Sequence, residues 1–229
     1  MTRHIKFCIL AFMASLILIS VGAFADEAAT LVNLVGKARV IKADKTTVDL
    51  KLKDKVEEGD TIVTEKDSFA MFKFTDNAET ILRPESEFKI LEYKFIQEDP
   101  SKDKSTANLV KGGLRRLTGL CGKRGNPDAD KLMTATATVG IRGTIYDVVS
   151  CAGGAGCEKL ENGTYFRVKE GQIAVKNDSG EVLVSAGQFG YSASMSQKPI
   201  NLPKDPGFPA ITPPKSMKPS SGDGSNCAA

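Results

Sequence analysis

The chain has 229 residues, a length typical of one or two domains. It carries 31 Lys and Arg against 28 Asp and Glu, a net charge of +3 that excludes a strongly basic nucleic-acid-binding domain. Its single histidine, His4, lies in a segment that we expect to be removed. A mature chain without histidine excludes Ser-His-Asp and Cys-His catalysis, His-bound zinc and histidine-based pH sensing.

Residues 1–25 are predicted to be a secretory signal peptide. Arg3 and Lys6 precede an apolar run over residues 7–21, which ends in Ala23-Phe24-Ala25, the small-x-small pattern of a cleavage site. The mature chain then starts at Asp26, in the periplasm or outside the cell. The alternative is an uncleaved anchor, but the run is shorter than the ~20 residues that span a bilayer. No later stretch is apolar enough to cross a membrane, so we expect no span after processing.

Residues 26–198 are predicted to form one all-β domain. Hydrophobic residues recur with a period of two, as in Phe69–Phe74, where Ala70, Phe72 and Phe74 share one face. Turn signals such as Asn162-Gly163 and Glu170-Gly171 separate these runs at short intervals. The pattern is typical of many short strands in a compact β-roll or sandwich-like fold.

Two segments repeat one pattern of glycine, strand, turn, strand and glycine-polar pair. The first runs from Gly36 to Gly59-Asp60, and the second from Gly171 to Gly187-Gln188. Two copies do not make a solenoid. They predict one β-winding unit used at both ends of the domain.

Residues 199–229 differ in composition from the preceding domain. Seven of the ten prolines lie there, with Ser, Gly and Asp filling much of the rest. Proline cannot donate to a β-ladder, and the composition offers little apolar area to bury. We therefore expect a disordered tail.

Removal of residues 1–25 leaves four cysteines, Cys121, Cys151, Cys157 and Cys227. An even number in an exported chain indicates disulfides. Cys151 and Cys157 bracket the flexible sequence Ala-Gly-Gly-Ala-Gly, so we predict that they pair. Cys121 and Cys227 then either pair with each other or stay free.

Two sequence blocks resemble the FecR domain family. The first is Gly59–Thr64, with the pattern Gly-Asp-x-Ile-x-Thr, and the second is Gly140–Thr144, with Gly-x-Arg-Gly-Thr. They occur in family order, and the resemblance extends from about Val35 to Tyr191. It implies a β-rich, non-enzymatic binding or signalling-accessory module that contacts an envelope protein in a bacterium.

The best-known relatives implied by this resemblance place an anti-sigma region and a membrane helix before the FecR domain. Here only the predicted signal peptide precedes the domain. We therefore expect no direct regulation of a sigma factor, and we expect the binding module itself to be retained.

The segment from residue 111 to residue 124 has five basic residues and no acidic one. They are Lys111, Arg115, Arg116, Lys123 and Arg124. The segment is a candidate docking surface for an envelope partner, or for a glycan or another anionic ligand. The alternative is a solvated edge balanced by Asp128 and Asp130. Arg142 is a further candidate contact, with an internal ion pair or a solvated charge as the alternatives.

Other catalytic or metal-binding patterns in the sequence are weak. Ser101 and Lys104 match Ser-x-x-Lys but lie in a polar linker, so a Ser-Lys or carboxylate-based hydrolase is a remote alternative. No calcium-loop spacing occurs. We expect no catalytic residues, no cofactor and no metal.

Overall fold

The computed structural model describes residues 27–124, 126, 128–151, 157–215 and 217. These residues contain fifteen strands and one short 3₁₀ helix, Pro100–Lys102, which confirms the predicted all-β class. The strands are β1 Glu27–Val35, β2 Ala38–Ile41, β3 Thr47–Asp49, β4 Lys55–Glu57, β5 Thr61–Thr64, β6 Phe69–Phe74, β7 Glu79–Leu82, β8 Glu87–Lys94, β9 Lys104–Leu117, β10 Asp130–Met133, β11 Thr138–Cys151, β12 Gly163–Asn177, β13 Gly180–Ser185, β14 Phe189–Ser192 and β15 Ile200–Leu202.

The strands form one hydrogen-bonded sheet that folds over into two layers. The order of neighbouring strands in the first layer is β1, β6, β7, the C-terminal halves of β9 and β11, the N-terminal half of β12, β14 and β15. In the second layer, the N-terminal half of β9 lies between β8 and β10. The two edge strands of this layer are β3 at one end and β13 at the other.

Three long strands, β9, β11 and β12, pass through both layers. Each bends at a glycine with positive φ, at Gly112, Gly143 and Gly171 respectively. At Gly112 a side chain would collide with the Ser86 backbone and side chain, and Ser86 Oγ accepts a hydrogen bond from Gly113 N at 2.9 Å. Glycine is required at this bend, because it tolerates a positive φ and has no side chain that would collide with Ser86.

The main hydrophobic core lies between the layers. Leu31, Phe72 and Phe166 from the first layer face Phe88 and Ile173 from the second, and all five are buried. Buried and less buried residues alternate in β2, in β10 and in the N-terminal half of β9, because one face of each strand is turned inward.

The repeated pattern in the sequence marks the two edges of the second layer. The hairpin of β2 and β3 forms one edge, and the hairpin of β12 and β13 forms the other. The copies differ afterwards: β5 returns to pair with β2, whereas β14 crosses to the first layer and pairs with β12.

The predicted disorder from residue 199 onward is wrong for the described part of that segment. Ile200–Leu202 pair with β14 as β15, and Phe208, Ile211 and Met217 are buried in a second hydrophobic cluster on the outer face of the first layer. Prolines prevent a ladder here but do not prevent apolar side chains from packing. Residues 218–229 lie outside the described part.

Candidate functional site

The outer face of the second layer carries an open groove. Its central row consists of Lys131, Gly140, Ala174 and Leu183, which lie opposite one another on β10, β11, β12 and β13. Neighbouring residues on the same strands, such as Ile173, point into the core. The groove is therefore built on four hydrogen-bonded strands rather than on loops.

Small residues make the floor of the groove low. Gly140 has no side chain, Ala174 has only a methyl group, and the space above them measures about 720 Å³. A Cβ atom placed on Gly140 would meet nothing closer than the Ala174 Cβ, at 3.9 Å. Gly140 thus lies in regular strand, and the tight bend of the Gly-x-Arg-Gly-Thr block is at Gly143.

The rim of the groove combines apolar and charged side chains. Leu183 is 49% exposed and Met195 is 38% exposed, and the charged groups beside them are Lys176, Asp178 and Glu181. The loop that carries Met195 is fixed to the β12–β13 hairpin, because Asn177 Nδ2 donates hydrogen bonds to the carbonyls of Ser194 and Gln197.

The opposite end of the groove is electrostatically balanced. Lys131 Nζ lies 3.0 Å from Asp128 Oδ1, and both groups face solvent. The unbalanced charges of the groove are therefore concentrated at the β12–β13 hairpin, where two carboxylates accompany one lysine.

Part of the basic segment that was a candidate docking surface is held inside the fold. It occupies the second half of β9 and the loop after it, and β9 is a central strand. Arg116 is fully buried between the layers, where its Nη2 atom lies 3.0 Å from Asp130 Oδ1. Its guanidinium also lies 5.1 Å from the centre of the Phe74 ring. Of the predicted balancing residues, Asp130 is a partner of this segment.

Arg115 and Arg124 are also held by buried carboxylates. Arg115 Nε and Nη2 donate to the two oxygens of Asp147, at 2.7 and 3.0 Å. Arg124 Nη2 donates to Asp103 Oδ2 at 2.7 Å, and its guanidinium stacks 4.6 Å from the Phe95 ring centre. Both guanidiniums are engaged by carboxylates of this chain, which argues against the predicted contact with a glycan or a partner.

Lys111 and Lys123 are the exposed members of the basic segment. They lie on opposite ends of it, before the bend of β9 and after the end of that strand. Arg142 lies opposite Gln172 in the register of β11 and β12, and its side chain is outside the described part.

The outer face of the first layer is closed by the chain itself. Arg167 donates to Asp205 Oδ2 at 2.9 Å, and its guanidinium lies 4.6 Å from the ring centre of Phe208. The Phe208 ring also packs 5.8 Å from that of Tyr165. The segment after β15 therefore covers the apolar surface that this layer would otherwise expose.

The cysteines are arranged as follows. Cys151 and Cys157 form the predicted disulfide, with 5.5 Å between their Cα atoms. Cys121 is a buried free thiol, and Cys227 lies outside the described residues. Burial raises the pKa of the Cys121 thiol, and the nearby Asp76 carboxylate adds to that shift.

The candidate hydrolase residues lie apart on the surface. Ser101 Oγ donates to Asp99, and Lys104 Nζ donates to Glu92 Oε1 at 2.6 Å. In the described ranges no group of three His, Cys, Asp or Glu side chains has the arrangement of a metal site. The same ranges contain no helix long and apolar enough to cross a membrane.

Comparisons with known proteins give distant structural likenesses. No family model and no curated protein matches the chain, so the FecR resemblance stays a prediction. Two solved structures provisionally described as an anti-sigma factor from Parabacteroides distasonis align with TM-scores of 0.47 and identities of 12% and 11%. Each alignment covers 62% of this chain and 58% of the other. A cell surface anchoring domain aligns over 27% of this chain and 82% of its own, with 21% identity and a TM-score of 0.27.

Sequence reasoning missed the groove because its signal is weak. The floor depends on Gly140 and Ala174 lying side by side, and these residues are 34 positions apart. The available signal was a glycine inside an apolar alternating run, which marks either a bend or an open surface.

Proposed function

We propose that this protein is an exported, non-enzymatic binding module that recognises a protein partner through the groove over Gly140 and Ala174. The observation that carries the proposal is the contrast between the two outer faces. The outer face of the first layer is covered by Phe208, Ile211 and Met217, whereas the face over β10–β13 carries an open groove.

The chemistry of the rim favours a polypeptide as the ligand. Leu183 and Met195 offer apolar contact beside a low floor, and methionine adapts its shape to irregular partners. Lys176, Asp178 and Glu181 place both signs of charge within the same groove. A polypeptide can carry charges that complement this mixture. An anionic glycan would be repelled by the two carboxylates, Asp178 and Glu181, and attracted only by Lys176.

Export and a binding role are supported by separate observations. The N-terminal sequence has the features of a cleavable signal peptide, and the Cys151–Cys157 disulfide suits an oxidising compartment. The FecR-like blocks at Gly59–Thr64 and Gly140–Thr144 point to a bacterial envelope module, and the second block contributes the floor of the groove.

A photo-crosslinking experiment tests the proposal. A photoreactive residue is placed at Leu183 or at Val48, and adducts from intact cells are identified by mass spectrometry. The two positions are matched, because both lie on edge strands of the second layer and are 49% and 50% exposed. We expect a defined protein adduct at Leu183 and none at Val48. The same adducts at both positions would contradict the proposal.

Filling the groove provides the second arm. Gly140→Thr adds a side chain where the Cβ has room, and threonine suits a strand. We expect it to abolish the Leu183 adduct while the melting temperature stays within a few degrees of the parent. Val110→Thr, on the exposed side of β9, is the control and should leave the adduct unchanged. An undiminished adduct in Gly140→Thr would place the binding surface elsewhere.

A further inference from the structure

A cluster of buried polar atoms lies between the layers, away from the groove. Among the described residues, three buried side-chain atoms have no hydrogen-bond partner in the protein: Arg116 Nε, Asp130 Oδ2 and Tyr146 Oη. Tyr146 is 0% exposed, and the side chains of Arg116 and Asp130 are 2% and 0% exposed. None of these atoms can be solvated from the surface.

The three atoms belong to one site. Arg116 and Tyr146 lie directly opposite each other on β9 and β11. Asp130 begins β10 and binds Arg116 through its other oxygen, Oδ1, at 3.0 Å. The remaining nitrogens of the guanidinium are also occupied, because Nη1 donates to Thr80 Oγ1 and Nη2 donates to Ser105 Oγ. Nε is thus the one guanidinium nitrogen of Arg116 without a partner in the described residues.

Leaving these atoms uncompensated would be costly. A buried donor or acceptor without a partner costs about 1–3 kcal/mol, and more when it belongs to a charged group. Native interiors leave few such atoms, so three in one cluster call for a ligand.

The chemistry of the atoms defines that ligand. The Arg116 guanidinium repels a cation, and the Asp130 carboxylate repels an anion. An apolar molecule would satisfy none of the three atoms. The ligand must be neutral, must accept a hydrogen bond from Arg116 Nε, and must donate one to Asp130 Oδ2.

We propose that Arg116, Asp130 and Tyr146 form a binding site for one ordered water molecule. The water accepts hydrogen bonds from Arg116 Nε and Tyr146 Oη and donates one to Asp130 Oδ2. Three hydrogen bonds are typical of a buried water. Because Arg116 and Tyr146 lie in the first layer and Asp130 in the second, the water joins the two layers. The site is independent of the proposed partner-binding function.

High-resolution crystallography of the full mature chain tests the site directly. We expect one spherical solvent peak about 2.6–3.2 Å from each of the three atoms, the range of ordinary hydrogen bonds. A direct hydrogen bond between Tyr146 Oη and Asp130 Oδ2, with no solvent peak between them, would overturn the proposal.

Oxygen-17 relaxation dispersion in solution provides an independent test. Tyr146→Phe removes one of the three hydrogen bonds, so the residence time of one internal water should fall roughly tenfold. Tyr191→Phe is the matched control, because its hydroxyl binds the Asn162 carbonyl near the surface. It should leave the internal-water signal of the parent unchanged. An unaltered signal in folded Tyr146→Phe would refute the site.

Discussion

Arg116 shows that a charged residue in a basic run of the sequence can be buried in the core of a fold. Its partners, Thr80, Ser105 and Asp130, are 36, 11 and 14 positions away in the sequence. The composition of residues 111–124 therefore could not reveal that the charge is internal. The alternation of Leu114, Arg115 and Arg116 did place Arg115 and Arg116 on opposite faces, but only the register shows which face is buried.

Removing this buried guanidinium should be strongly destabilising. Arg116→Met leaves the Asp130 carboxylate buried without its counter-ion, which should lower the free energy of unfolding by about 3–5 kcal/mol. Lys131→Met breaks an ion pair whose Asp128 partner is 76% exposed, and it should cost less than about 1 kcal/mol. Urea unfolding of both variants measures the difference, and equal losses would contradict the assignment of Arg116 to the core.

The buried phenol and thiol groups should make the protein sensitive to alkali. Burial raises the pKa of Tyr93 and of Cys121, and the Asp76 carboxylate adds to both shifts. In the unfolded chain a cysteine loses its proton near pH 8.5 and a tyrosine near pH 10. Above those values the unfolded state binds fewer protons than the folded state, so stability falls as the pH rises.

The expected slope can be measured by urea unfolding between pH 7 and pH 11. Each such group contributes up to about 1.4 kcal/mol per pH unit above its unfolded pKa. Tyr93→Phe should be less stable than the parent at pH 7, because the hydroxyl binds Asp76, but its stability should decline less steeply above pH 10. Parallel declines in the two proteins would show that Tyr93 ionises normally.

At the scale of the element, the sequence pattern located strands correctly but did not show where a strand continues through a turn signal. Phe69–Phe74 was predicted as one strand and is β6. Glu170-Gly171 was predicted as a turn between two strands, whereas β12 runs through it from Gly163 to Asn177. A positive-φ glycine bends a strand as readily as it ends one, so the residue type alone cannot separate these outcomes.

The bend in β9 predicts a contrast between two glycines. Gly112 has φ +83°, and an added Cβ would collide with the Ser86 backbone. Gly187 has φ +78°, but an added Cβ would meet nothing within 4 Å. Gly187→Ala should therefore cost only the backbone strain, about 1–2 kcal/mol. Gly112→Ala should cost clearly more in thermal unfolding. Similar losses of stability in the two variants would mean that the Ser86 backbone shifts easily to make room for the added methyl group.

The disulfide is expected to make a modest contribution. Cys151 and Cys157 are six positions apart, so the closed loop is short and the entropic gain should be about 2 kcal/mol. The double replacement by serine should lower the melting temperature to the value of the reduced parent. A double variant as stable as the oxidised parent would show that the bridge adds nothing beyond local packing.

At the scale of the whole molecule, the proline-rich segment is the largest departure from the sequence-based prediction. The described residues after β15 contain no helix or strand, as the composition indicates, but the spacing of Phe208, Ile211 and Met217 gives no periodic signal. These side chains pack against residues of β6, β7, β11 and β12, which are distant from them in the sequence. The groove was missed for the same reason, since its floor exists only when β11 and β12 lie in register.

Phe208→Ala tests how much this cover contributes. Phe208 is 2% exposed and contacts Tyr165 and Arg167, so the truncation should cost about 3–5 kcal/mol. The exposed Lys204 lies four residues earlier, and Lys204→Ala should be nearly neutral. Thermal unfolding with a hydrophobic dye would report both stability and exposure of the cluster. A neutral Phe208→Ala would contradict the described packing.

The three strands that run through both layers also determine how the molecule can move. Ala174 at the floor of the groove and Arg167 under the C-terminal segment are seven residues apart on the same strand, roughly 23 Å along its backbone. Gly140 and Asp147 have the same relation on β11. A hinge between the layers would have to bend β9, β11 and β12 at once, at the glycines where they turn. We therefore expect the two faces to move together, because the same three backbones connect them.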